Sequence, residues 1–245
     1  MMKTNKTMSS NRLRYMVLVA MFMAMTYVTM LILRIKVPPF LTLDVKDTVT
    51  TLCGLFLGPV AALIIAVAVP ALEFFVSDTG LYGLIMNTLG SVTFCVTVAL
   101  FYKWKKTIWS AVIGLVTAAL LMAGVMLLAN TFITPHYLVL MMNMSLPGAK
   151  EAVRALLAPT ILPFNLLKGF LNVGLVLLLY KPLSRVLHKT GLLKKSSRTA
   201  PTKEKVTTAK QISTSLVVSV AAVLLIVGSL LIIFLVLGGD VAFGK

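Results

Sequence analysis

The 245-residue sequence predicts an all-α integral membrane protein with seven apolar spans. Three observations carry that prediction. Hydrophobic residues make up 59% of the chain and charged residues only 12%, whereas a soluble domain has roughly half and about a quarter. Such a chain has too little polar surface to cover itself in water, so its solvent is largely lipid. The apolar residues form solid runs without period-2 alternation, and lipid leaves no water for backbone groups, so the runs are helices. Finally, the basic residues behind the net charge of +16 sit at the ends of these runs, not along one face. That is the pattern of anchors in contact with anionic lipid headgroups, and it argues against a nucleic-acid partner.

The first span, 13–33, follows Lys3, Lys6 and Arg12 and contains Arg14. It is too long for the apolar region of a signal peptide and has no A-x-A pattern, so it stays as a span. The second, 48–57, rises only about 15 Å against a hydrocarbon core of about 30 Å. It is either a separate short helix or half of a kinked helix fused through Gly58-Pro59 to the third run, 60–76. Charge decides between them. Separate helices place sixteen basic residues on the side of the N-terminus and six on the other, with Lys168 inside a span; fusion reverses the bias to seven against fifteen. Basic residues gather on the cytoplasmic side, so the helices are separate. The remaining spans are 82–102, 108–129, 161–180 and 212–237, which puts the N-terminus in the cytoplasm and the C-terminus outside.

The break at Gly58-Pro59 and a kink at Pro70 are discontinuities of the kind that accompany transport sites, although Gly and Pro are also common in ordinary membrane helices. Two loops face outward. Residues 34–47 mix prolines with Phe40, Leu41 and Leu43, as expected of a lid that folds back on the protein. Residues 131–158 contain a stretch, 150–157, suited to a short interfacial helix. Residues 189–211 are polar and basic, with Ser196, Ser197 and Pro201, and read as a cytoplasmic linker. The chain thus divides into a six-helix membrane domain (1–188), the linker (189–211) and an added C-terminal transmembrane helix (212–245). That last span has only Ser219 and Ser229 as polar side chains between 216 and 237, and is expected at the periphery.

Ionisable residues inside spans are functional candidates. Lys168 lies about 10 Å into the sixth span with no acid within a turn of it. It is either a lysine snorkelling to the outer interface or a donor to a ligand carbonyl or anion. Asn165, Lys168 and Asn172 fall at i, i+3 and i+7 on one helical face, which suits a polar cavity or interhelical hydrogen bonds. Asn87 and Asn130 add amides, and each amide offers both a donor and an acceptor to a neutral heterocycle. Asp44 and Asp47 stand where the second helix starts, either as N-cap and first-turn acid or as partners for ligand hydroxyls. Glu73 is read as close to the outer surface and without a role. Cys53, Cys95, His136 and His188 are isolated, with no metal-ligand spacing. No Walker-A, H-E-x-x-H or G-x-S-x-G motif is present, so catalysis is not expected, and active transport would take its ATP from another polypeptide.

Three segments carry a resemblance. F-L-T-L-D-V-K-D (40–47) with L-F-L-G-P-V-A (55–61), I-L-P-F-N-L-L-K-G (161–169) and A-M-F-M-A (20–24) are similar to the substrate-binding S component of energy-coupling factor (ECF) vitamin transporters, most closely the riboflavin-specific type. The resemblance spans roughly 13–188 and implies a six-helix bundle, to which the seventh span is an addition. It implies that Asn130, Asn165 and Lys168 contact a flavin ring, with Leu41 from the lid against it, and it extends to Asn87 and Asp44. It implies that Ala20 and Ala24 dock a shared transmembrane T component driven by two cytoplasmic ATPases. Riboflavin is then the transported substrate, and no cofactor is implied. Where riboflavin members carry a Lys-Asn pair late in the third helix, this chain has P-A-L-E (70–73). Pantothenate and folate remain alternatives within the class, although folate's carboxylates would want more outer-facing cations. A membrane enzyme or assembly factor is the alternative outside it, and an intramembrane phosphotransferase would want clustered acids to hold metal.

Overall fold

The computed structural model describes residues 3–38, 40–77, 79–192, 208–238 and 240–241. The chain begins with α1 (Lys3–Ile32) and a hairpin of β1 (Arg34–Val37) and β2 (Leu41–Asp44). Then come α2 (Lys46–Leu57), α3 (Pro59–Glu73), α4 (Gly80–Trp104) and α5 (Ile108–Phe132). Two short helices follow, α6 (Thr134–Met142) and α7 (Leu146–Leu156); a π turn (Leu157–Ile161) carries α7 into α8 (Leu162–Lys189). The last elements are α9 (Thr208–Leu235) and β3 (Asp240–Val241). All seven apolar runs are helical. Among the described residues five helical stretches are long and apolar enough to cross a membrane, with α2 and α3 shorter.

Gly58 separates α2 from α3 at φ 99°, a backbone conformation that L side chains avoid, and Pro59 opens α3, where a missing N–H costs nothing. The two helices therefore pack side by side instead of running on, as the charge bias requires. Every residue of α2 from Lys46 to Leu55 is buried, against α1, α3, α4 and α8. Its close approach depends on Gly54, where an added Cβ would come within 2.9 Å of the Ala62 Cβ and 3.0 Å of the Ala99 Cβ. A helix too short to span is tolerated here because protein surrounds it.

The end of the bundle opposite the hairpin is marked by the 105–107 turn, flanked by the exposed Trp104 and Trp109, as expected at a membrane interface. Thr107 caps α5 there by accepting a hydrogen bond from the Ser110 amide. Phe56 stacks on Tyr180 with ring centroids 5.3 Å apart, and the Tyr180 hydroxyl meets that of Tyr102.

The two loops expected to face outward hold more structure than the sequence announces. The first is an antiparallel hairpin that buries Val37 and Leu43. The second contains α6 and α7, joined through Asn143 in the left-handed region and Ser145 as N-cap of α7. All of the 150–157 stretch but Leu157, which opens the π turn, belongs to α7, whose Ala149 and Val153 are buried beside Leu138 of α6. Pro159 and Pro163, four residues apart, lack the N–H groups that an unbroken α-helix would use; the first lies within the π turn and the second in the first turn of α8.

At the other end of the chain, α9 packs on α8 and presents most of its surface outward, as expected of a peripheral span. It starts four residues before the expected boundary at 212. Most of the linker (193–207), including Ser196, Ser197 and Pro201, lies outside the described residues. β3 pairs with β1, so the C-terminal strand and the hairpin share one end of the molecule.

Candidate functional site

A cavity of about 400 Å³ lies beneath the hairpin. The hairpin covers it with Val37, Phe40 and Leu41; α4 contributes Tyr82, Met86 and Asn87; α5 contributes Met126 and Asn130. The first turns of α8 supply Phe164, Asn165 and Lys168. Apolar walls with a few polar groups at fixed positions are the usual make-up of a small-molecule site, and this volume falls within the usual range of about 300–1,000 Å³.

Five of the six ligand-binding residues read from the sequence line this space: Leu41, Asn87, Asn130, Asn165 and Lys168. The Asn130 and Asn165 amides are each anchored by a carbonyl four residues earlier. The Asn165 Nδ2 donates to the Ile161 carbonyl at the end of the π turn, and the Asn130 Nδ2 donates to the Met126 carbonyl. The Asn130 Oδ1 accepts from the Thr134 hydroxyl. Such bonds lock the rotamers of both side chains at the cavity wall.

Lys168 does not snorkel. Its Nζ donates to the Asp44 Oδ2 at 3.1 Å, and its side chain is 11% exposed. The partner acid is distant in sequence, on the last residue of β2, so the salt bridge ties the hairpin to α8. Asn172, one turn on, does not reach the cavity: it accepts from the Thr48 hydroxyl and bonds α8 to α2. The three-residue polar stripe therefore divides between ligand wall and helix packing.

Asp44 is placed differently from the expectation. It is absent from the cavity wall and buried beneath it, between Lys168 and Lys46 (3.1 and 3.6 Å). The N-cap of α2 is Val45, while the Asp44 Oδ1 accepts from the Lys46 amide. Burial alone would raise the Asp44 carboxyl, but the two ammonium groups prevail and hold it lowered to about 2. Asp47 is the first-turn acid of α2 and accepts from the Ser91 hydroxyl.

Glu73 overturns the reading that gave it no role. It is 4% exposed and is the hub of a buried network. Its Oε1 takes Arg34 at 2.6 Å, and its Oε2 takes Lys46 at 2.7 Å and the Asn87 Nδ2 at 3.0 Å. Arg34, Lys46 and Lys168 pair with Asp44 and Glu73, and that pairing is what allows five charges to sit among apolar helices. Arg34 also lines the cavity, and its Nε is buried with no hydrogen-bond partner among the described residues. A signal for Glu73 was present in the sequence: an acid inside an apolar run is expensive unless something pairs with it.

Ala20 and Ala24 lie on α1 away from this site, both exposed on one face, with Met21 and Val28 exposed beside them.

Comparison with known proteins gives concordant results. Residues 14–180 match the family described as "ECF transporter, substrate-specific component". The chain is 30% identical over 153 residues to the riboflavin transporter RibU of Staphylococcus aureus (strain TCH60), covering 62% of this chain and 79% of that one. A solved S component of a bacterial ECF transporter superposes with a TM-score of 0.60 at 28% identity, covering 72% of this chain and 98% of its own. The chain therefore belongs to the substrate-specific components of ECF transporters, which bind substrate for transport and are not enzymes.

Proposed function

We propose that this chain captures riboflavin from outside the cell and delivers it to an ATP-driven energy-coupling module. The observation that carries the reading is the inward-turned Lys168, sharing one cavity with Asn87, Asn130 and Asn165 beneath the hairpin. A flavin presents a flat ring with a polar pyrimidine edge and a polyol tail. Leu41, Phe164 and Met126 supply apolar walls for the ring. Asn130, Asn165 and Lys168 supply donors and acceptors for its polar edge, and Lys168 gives a charge-assisted bond stronger than a neutral one. Arg34, Ser77 and Thr79 line the same cavity and offer polar groups for the polyol. Asp44 acts through Lys168, holding the ammonium in place.

The reading also has a sidedness. With the basic 103–106 turn in the cytoplasm, the hairpin and cavity face outward, the N-terminus is cytoplasmic and the C-terminal strand is outside, in a bacterial cell membrane. The exposed face around Ala20 and Ala24 docks the T component, because small residues let another helix approach closely. Two cytoplasmic ATPases complete the module, and lipid covers the rest of the bundle.

Purified protein in detergent is expected to carry flavin absorbance. Calorimetric titration of flavin-free protein with riboflavin, FMN, pantothenate and folate then ranks the ligands. Tight riboflavin binding with no pantothenate or folate binding supports the proposal; the reverse order overturns it.

A further inference from the structure

We propose that α9 and β3 form a strap that positions the hairpin over the cavity and sets the rate at which ligand enters and leaves. The proposal rests on the hairpin being the cover of the substrate site.

Two independent contacts support it. The first is main-chain pairing: β3 adds to the free edge of β1, with Ile35 opposite Val241 and Lys36 opposite Asp240, giving a sheet ordered β2-β1-β3. An isolated two-stranded hairpin is marginal at best, whereas a third strand and an apolar brace make it persistent. The second is side-chain packing. Ile233 of α9 is fully buried in a cluster with Val37 and Leu43 of the hairpin and Phe164 and Leu171 of α8.

The other end of the strap is fixed to the helix that carries the ligand-facing residues. At Gly174 of α8 an added Cβ would lie 2.9 Å from the Ala222 carbonyl oxygen and 2.9 Å from the Ile226 Cγ1, so α8 and α9 meet almost backbone to backbone. One rigid unit thereby joins Lys168 to the hairpin that covers it. For the hairpin to swing away, either β3 must unzip from β1 or α9 must tilt from α8. A chain without this strap needs neither step, so the added span slows exchange in both directions.

The test is a reversible lock in the full-length protein. Antiparallel partners have Cα atoms about 4.5–5.5 Å apart, within the range a disulfide bridges. An Ile35→Cys/Val241→Cys pair should therefore close on oxidation, while the buried Cys53 and Cys95 stay silent. Stopped-flow quenching of riboflavin fluorescence should show association and dissociation both slowed at least tenfold, with recovery on reduction. A ligand-independent readout comes from Met86→Cys on the cavity wall, added to the same protein. Its labelling by a water-soluble maleimide should slow at least tenfold with the lock closed. Conversely, Gly174→Leu, which drives α9 off α8, should speed both exchange and labelling. Failure of the pair to cross-link, or labelling indifferent to the closed lock, overturns the strap. Absence of riboflavin binding in the reduced protein would instead count against the flavin assignment, and the maleimide rates would still decide the strap.

Discussion

The two helices that depart most from an ordinary membrane span, α2 and α9, depart in opposite directions. The short helix α2 has 12 residues, opens with Lys46 and Asp47, contains three threonines between positions 48 and 51, and lies at the centre of the molecule. By contrast the 218–235 stretch of α9 has the highest mean hydropathy of the five candidate spans among the described residues, yet only 17% of it is buried. In water the positions would be exchanged. In lipid an apolar surface loses nothing by facing the solvent, whereas every charge and hydroxyl needs a protein partner. Polarity therefore marks the interior here, and the cavity forms where the polar groups meet.

Several substitutions sharpen this contrast. The largest effect is expected from Lys46→Met, since Lys46 is 1% exposed and sits between Asp44 and Glu73. Removing one partner of a buried pair costs about 3–5 kcal/mol, so the thermal transition in detergent should fall steeply or vanish. Gly54→Leu tests the packing of the same helix. With Ala62 and Ala99 already at contact distance from an added Cβ, overpacking of about 1–3 kcal/mol is expected in the same assay. The smallest effect belongs to α9. Leu224 is 67% exposed to the surroundings, and Leu224→Ala should change stability by no more than about 0.5 kcal/mol. A large loss there would mean that α9 is an interior helix and that the contrast is false.

Much of the bundle could be read from the sequence because its causes are local. The seven runs, the separation at Gly58-Pro59 and the polar face around Lys168 follow from composition, backbone sterics and helical spacing. What escaped was set by distant pairing. Lys168 has no acid within a turn, and its partner Asp44 lies 124 residues away. Glu73 meets Arg34 and Lys46 from 39 and 27 residues away, so no periodicity could announce it as a hub. Asn172 shares a helical face with Asn165 and Lys168, yet α2 packs against that face one turn further along and claims it for a helix contact. The hairpin needed the knowledge that β3 returns from the far end of the chain to pair with it. For α6 and α7 the local signals were present, in Thr134-Pro135 and in Ser145 followed by Pro147, but a long apolar loop obscured them.

The central claim is that Lys168 is turned toward the ligand and held there by Asp44. Titration of Lys168→Met with riboflavin, followed by quenching of flavin fluorescence, tests it most directly. Lys46 remains to balance Asp44, so the variant should stay folded, with affinity reduced at least thirtyfold, equivalent to about 2 kcal/mol for a lost charge-assisted hydrogen bond. A folded Lys168→Met protein that binds riboflavin as tightly as the unmodified chain would contradict the account.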